Sequence, residues 1–266
     1  MKAGLLGTES QRNHACGRAA VRRVGGFCYR TTPAPATTDD AMHPPIDRLR
    51  QRLDANARLA WHSHAAPYAA LVLDGNYEES GDGGRRRVGP GHLVVHPPFS
   101  AHTDIIGRRG ATVVNLPLTV TQALTLQSGL LSNPEAVLDR YTADPFSLSQ
   151  VLGSSVTPVD QPDDMPDRLA AALALPGRVV IAEWGADQGI SARSVTRHFS
   201  AAIGLPPAQY RWRARTHGAL RAVVTTAQPL IEIAHDWGFS DQAHMTRSIR
   251  RLTGRSPSAW RAIVSD

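Results

Sequence analysis

The spacing of apolar residues divides the chain in two. From about Ile46 to Leu118 it comes in short apolar, β-branched runs, "YAALVLDG", "GHLVVHPP" and "ATVVNLPL". Glycine and proline punctuate them at "DGN", "GDGG", "GPG" and "HPP". Runs of that length between turn residues predict the strands of a sandwich or small barrel. Beyond residue 165 the period becomes helical. "DRLAAALALPG" predicts a helix that stops at Pro176-Gly177. "VVIAEWGADQG" places Ile181, Trp184 and Gly185 at i, i+3 and i+4, and "LIEIAHDWG" repeats the spacing with Leu230, Ile233 and Ala234. "PPAQYRWRARTHGALRAVVTT" predicts a long helix opened by proline.

Between the halves, "SNPEAVLDRY" predicts a short helix with Asn133 as N-cap and Pro134 in its first turn. The proline-rich "SSVTPVDQPDDMPD" predicts a linker running into Pro166 at the start of the next helix. Residues 1–41, with their low-complexity "TTPAPATTDD", predict a disordered leader, and Met42 is a second candidate start of translation. The expected organisation is α+β multidomain. A β domain spans 46–120, a helical segment and linker 121–164, and an all-α domain 165–264.

Two stretches of the helical half are drafts of one unit: "SVTRHFSAAIGLPPAQYR" from Ser194 and "HMTRSIRRLTGRSPSAWR" from His244. Val195 pairs with Met245, Phe199 with Ile249, Gly204 with Gly254, Pro207 with Pro257, Tyr210 with Trp260 and Arg211 with Arg261. Upstream, Ile181, Trp184, Gly185 and Gly189 match Leu230, Ile233, Ala234 and Gly238, at an offset of 49 that becomes 50 after the turn. Each copy predicts a short helix, a glycine turn, a capping serine (Ser191 or Ser240) and a second, amphipathic helix. Gly185 and Ala234 are small where the two helices must cross closely. That is the helix-turn-helix pattern, whose second helix enters the DNA major groove.

On the second helices Val195, Phe199 and Ile203, and then Met245, Ile249 and Leu252, should face inward. Arg193, Ser194, Thr196 and Arg197, and then Gln242, His244, Thr246 and Arg247, should face out. These types suit base edges: arginine reaches guanine, glutamine adenine, and a threonine methyl touches thymine. Arg250, Arg251, Arg255, Arg211 and Arg213 are candidate phosphate contacts.

Charge sharpens this picture. Of the 266 residues, 165–266 carry 13 basic and 7 acidic side chains, whereas 41–164 carry 10 basic and 13 acidic. The overall +6 is therefore concentrated in the helical half, as a phosphate-binding domain requires. No run of about eighteen apolar residues is present, so no transmembrane helix is expected. Cys16 and Cys28 form neither a disulfide framework nor a zinc knuckle, and a cytoplasmic protein is expected.

The segment "IEIAHDWGFSDQAHMTRSIRRLTGRSPSAWR" resembles the signature of the AraC/XylS family of bacterial transcription regulators. Ile233, Ala234, Gly238, Phe239, Ser240, Arg247, Gly254, Ser256, Pro257, Trp260 and Arg261 match it. The family prefers aromatic residues where Met245 and Ile249 stand, and alanine in place of Gly185. The resemblance implies seven helices, with two helix-turn-helix units joined by one long helix. Two recognition helices would then enter successive major-groove segments about 34 Å apart. It implies double-stranded operator DNA as partner, a small-molecule effector, and candidate contacts with RNA polymerase and a second copy through 121–164.

"WHSHAAPYAALVLDG" and "VGPGHLVVHPPFSAH" resemble the two boxes of a cupin barrel, a common sensory fold in this family. His62, His64, Tyr68, His96 and His102 are the candidate effector-binding residues. His62, His64 and His102 also fall where metal-binding cupins keep three histidine ligands. The glutamate of the first box is missing, with Tyr68 or Ala69 in its place, and no cofactor is expected. The alternative reading is a metal-dependent cupin enzyme with a DNA-binding tail. The missing glutamate argues against it, as does the doubled helical unit.

Overall fold

The computed structural model describes residues 21–24, 27–30, 46–144, 152, 156–157 and 163–265. The Thr/Pro/Ala run at 31–40, Cys16, Met42 and half of the expected linker lie outside the described residues. The leader nevertheless contributes β1 (Val21–Val24) and β2 (Phe27–Arg30), paired antiparallel. "VRRV" and "FCYR" flank Gly25-Gly26 in the sequence, a local hairpin signal within the low-complexity leader.

The β domain opens with a one-turn helix, α1 (Ile46–Leu49), followed by β3 (Arg50–Leu53) and β4 (Arg58–Ser63). Then come β5 (Tyr68–Gly81), β6 (Gly84–Val88), β7 (His92–His96) and β8 (Ala101–Pro117). Helix α2 (Val120–Thr125), β9 (Gly129–Leu131), α3 (Pro134–Ala143) and β10 (Val156–Thr157) complete it. Among the described residues, β3–β10 form one antiparallel sheet of order β10-β9-β7-β5-β8-β3, with β6 on β5 and β4 on β8. Alternate residues of β5 feed two separate cores. Ala69 and Leu71 join Leu93, Val95, Val114 and Leu116, over which Ala123, Val137 and Tyr141 pack. Ala70, Val72 and Tyr77 join Val88, Val94, Ile106 and Val113 on the other face. Burial on both faces is why "YAALVL" reads as a continuous apolar run rather than an alternating one.

The helical half has the expected seven helices. They are α4 (Met165–Ala174), α5 (Ile181–Asp187), α6 (Ala192–Ile203), α7 (Pro207–Thr225), α8 (Leu230–Asp236), α9 (Gln242–Thr253) and α10 (Pro257–Ser265). The expected start signals hold: Asn133 caps α3 through Ala136 N at 3.0 Å, and prolines open α3, α4 and α7. Two cores flank α7. Leu169, Leu173, Val195, Phe199, Ile203 and Tyr210 form one. Leu220, Val223, Ile233, Met245, Ile249 and Trp260 form the other.

Candidate functional site

Each copy of the repeat folds as a short helix, a tight turn and a longer helix, α5 with α6 and α8 with α9. Gly189 and Gly238, both at φ 67, make the turns, a conformation that costs glycine nothing. Ile190 N then donates to Gly185 O, and Phe239 N to Ala234 O, both at 2.8 Å. A Cβ on Gly185 would lie 2.6 Å from Ile190 O and 3.0 Å from Val195 Cγ2, so the small residue is demanded by the crossing. Gly204 (φ 84) and Gly254 (φ 80) end α6 and α9 in the left-handed conformation.

The two copies differ at the cap. Ser191 caps α6 by accepting from Ser194 N at 3.2 Å, as expected. In the second copy the cap is Asp241, which accepts from His244 N at 2.6 Å, and Ser240 is not the N-cap. The shift of offset from 49 to 50 makes Ser240 the inserted residue, and a carboxylate suits the positive end of α9. The inward stripes also differ. Val195, Phe199, Ile203, Met245 and Ile249 are fully buried, but the third inward position of α9 is Thr253, with Leu252 only half-buried. Thr253 Oγ1 donates to Ile249 O and accepts from Trp260 Nε1 at 2.8 Å, so a polar side chain sits in that core with its bonds satisfied.

Arg193, Thr196 and Arg197 are exposed on α6, with Ser194 half-buried beside its cap. Gln242, Arg247, Arg250 and Arg251 are exposed on α9, and His244 and Thr246 are half-buried. His244 sets its ring edge-on to Phe239 at 5.2 Å and meets Ser240 Oγ at 3.1 Å. The Arg251 guanidinium lies over Trp212, 4.5 Å from the ring centroid.

Two of the five arginines expected at phosphates, Arg211 and Arg213, are structural. Arg213 is 4 % exposed and its guanidinium grips the Asp82 carboxylate with two bonds, so it does not reach solvent. Arg211 donates to the carbonyls of Gly177 and Val179, ahead of α5. Its counterpart Arg261 donates to Val223 O at 3.2 Å and to Gln228 O at 2.7 Å, ahead of α8. Val179 and Gln228 stand at the same offset of 49, so both copies use one clamp. The aromatic-arginine ending therefore closes each unit: Tyr210 and Trp260 fill the core, and the arginine pins the strand of chain that enters it.

In the β domain, pairing of β5 with β7 and β8 gathers a polar cluster at one end of the sheet. Tyr68 stands opposite His96 and stacks on it at 4.4 Å. Glu79 stands opposite Asp104, and Gly81 opposite His102. His62 and His64 from β4 and its following turn close on His102, with ring centroids 4.3 Å and 5.5 Å away. All five expected histidine and tyrosine residues thus converge, and the structure adds Glu79, Asp104 and Arg86. Arg86 Nε lies 3.6 Å from Glu79 Oε1. Burial, then the neighbouring His62, pull the His64 pKa down to about 4, and burial also holds His96 and His102 well below the usual histidine range. Burial, then Glu79, push the Asp104 carboxyl up to about 8. Among the described residues, His64 Nε2, His102 Nδ1 and Asp104 Oδ1 are buried without a hydrogen-bond partner, at a cost of about 1–3 kcal/mol each.

The cluster faces the helical half. A cavity of about 480 Å³ is lined by Glu79, His96 and His102 on one side and by His217, Arg221 and Thr225 of α7 on the other. Beside it Asp82 anchors α7, bonded to Arg213 and 3.2 Å from His217 Nε2. Arg213 also donates to the carbonyl of Phe99 at 2.9 Å. Phe99 is held at φ 63, an uncommon value for a bulky residue, with its ring 5.8 Å from Trp260. A second tie runs from Arg85 of β6 to Asp164 and Asp167 at the start of α4.

The helix pairs α5–α6 and α8–α9 have the helix-turn-helix arrangement, and residues 184–263 match the family described as a helix-turn-helix domain. More narrowly, its signature is similar to that of the AraC/XylS regulators. The ornithine utilization regulator of Pseudomonas aeruginosa is 35% identical over 101 residues, which are 38% of this chain and 26% of that regulator. The chain thus matches only about a quarter of that relative's length. Among solved structures, the DNA-binding domain of AdpA in complex with a target DNA is 26% identical, with a TM-score of 0.36 over 38% of this chain and 93% of that one. ToxT of Vibrio cholerae is 7% identical, with a TM-score of 0.41 over 82% of this chain and 98% of that one. The helix-turn-helix assignment rests on the family match over residues 184–263. Among the described residues no helix is long and apolar enough to cross a membrane.

Proposed function

We propose that this chain is a sequence-specific transcription regulator whose β domain, a cupin-like sensor, adjusts how two helix-turn-helix units hold operator DNA. The observation that carries this reading is the repeat itself. One scaffold is built twice, sharing a Thr-Arg pair (Thr196-Arg197 and Thr246-Arg247) but differing before it, with Arg193-Ser194 on α6 against Ala243-His244 on α9. Arg193, Ser194, Thr196 and Arg197 read one half-site. Gln242, His244, Thr246 and Arg247 read another, and Arg250 and Arg251 hold phosphates. The sensor binds a small effector at the cluster of His62, His64, Tyr68, His96 and His102, in the cytoplasm. The 121–164 segment is the candidate contact with a second copy, and RNA polymerase is the candidate partner at the promoter. The AraC/XylS assignment supports a regulator rather than an enzyme.

Selection of binding sites from a random DNA pool should yield one asymmetric consensus. On it, Arg247→Ala should cost about 1–3 kcal/mol and relax preference at one base position. Unchanged affinity together with unchanged preference would contradict the placement of α9 in the groove.

A further inference from the structure

The polar cluster of the β domain has the chemistry of a metal site, and its ligands are not the set that the sequence boxes suggest. Glu79, His96 and His102 are each 4–5 % exposed, and one donor atom from each lies within 4.8 Å of the other two. His62, His64 and His102 meet the same condition, so His102 is the shared vertex of two triads. The donors arrive on separate strands: Glu79 on β5, His96 at the end of β7, His102 at the start of β8. Strand pairing fixes them there, since Tyr68–His96 and Gly81–His102 are register partners along β5.

A purely structural cluster would be expected to bond its polar atoms to one another. Among the described residues this one leaves His64 Nε2 and His102 Nδ1 unbonded, while the carboxylates of Glu79 and Asp104 sit opposite each other in the ladder. Like charges so placed repel. Arg86 offsets part of the Glu79 charge at 3.6 Å but makes its hydrogen bonds elsewhere, to Ser128 Oγ and Gly83 O. A single divalent cation would engage imidazole lone pairs and the carboxylate together. The adjoining cavity of about 480 Å³, lined by all three residues, supplies the approach for an ion.

We propose that Glu79, His96 and His102 bind a divalent transition-metal ion, with the His62–His64 pair supplying a further imidazole from the facing strand. Two or three imidazoles with one carboxylate favour zinc, iron(II), cobalt or nickel over magnesium or calcium, which prefer all-oxygen shells. Glu79 replaces the carboxylate missing from the first box, from a position eleven residues beyond Tyr68 on the same strand. The site also touches the helical half. Asp82, three residues beyond Glu79, anchors α7 through Arg213, and His217 and Arg221 of α7 face the same cavity. An effect of the metal on DNA binding rests on the function proposed above; the site itself does not.

Cobalt(II) is the probe, titrated into the full chain after removal of bound metal with chelator. About one equivalent should bind, with the intense visible bands of a four- or five-coordinate ion and no thiolate charge-transfer band. His96→Ala and His102→Ala should each weaken binding by about 100-fold or more, above the loss typical of residues outside the ligand set. Cys16→Ser, Cys28→Ser and His235→Ala, whose side chain is 92 % exposed, should leave it unchanged. Wild-type protein that takes up no cobalt, or binds it only through thiolate, overturns the site whatever the variants do. So does equal binding by folded His96→Ala and His102→Ala. Operator affinity is measured separately with and without cobalt. Uptake without a change in DNA binding keeps the site and overturns its regulatory role.

Discussion

Removing the Asp82 carboxyl would strand the Arg213 guanidinium in a buried position, a loss of about 3–5 kcal/mol for a pair of this kind. Asp82→Ala is therefore expected to lower the urea midpoint markedly. The double variant Asp82→Leu with Arg213→Met, which removes both charges, should recover most of the loss. A double variant as unstable as the single one would show that the pair is not coupled. Burial alone would raise the Asp82 pKa, but Arg213 and His217 hold it well below the carboxylate range. A depressed folded value means that the stabilisation is complete above the unfolded pKa of about 3.9 and is lost as pH falls below it, toward the folded value. Acid titration of stability should show a component below about pH 4 that is absent from Asp82→Asn. None of this was legible in "GDGGRRR", where Asp82 looks like any turn aspartate. Its partner lies 131 residues away, and only the docking of α7 makes the pair.

At the scale of elements, the helices of the repeat were legible because their periodicity, glycines and prolines are local signals. The exceptions are instructive. One inserted residue moved the cap of α9 from Ser240 to Asp241, and Thr253 took an inward position because the Trp260 indole satisfies it. Strand pairing was less legible, since register depends on the partner strand. Glu79 joins the histidines only because β5, 14 residues long, pairs with β8 over most of its length. The paired clamps Arg211 and Arg261 separate two roles that sequence alone could not. Arg261→Ala should cost about 1.5–3 kcal/mol for hydrogen bonds made by a charged donor. It should leave the salt dependence of non-specific DNA binding unchanged. A fall in that slope by about one would instead identify Arg261 as a phosphate contact.

Over the whole molecule, the β domain and the helical domain share a boundary at α7. Asp82 grips it, the cavity opens against it, and its two ends pack in the two repeats. A ligand at the cluster shifts DNA binding only if it favours one arrangement of that boundary over another. The central claim, that α6 and α9 read two unlike half-sites from one scaffold, has a direct test in base-resolution footprinting of the full chain on its selected operator. Wild-type protein should protect two major-groove segments on one face, about 34 Å apart. Arg197→Ala should weaken protection chiefly at one segment and Arg247→Ala at the other. A single protected segment, or two variants that lose the same bases, would contradict the account.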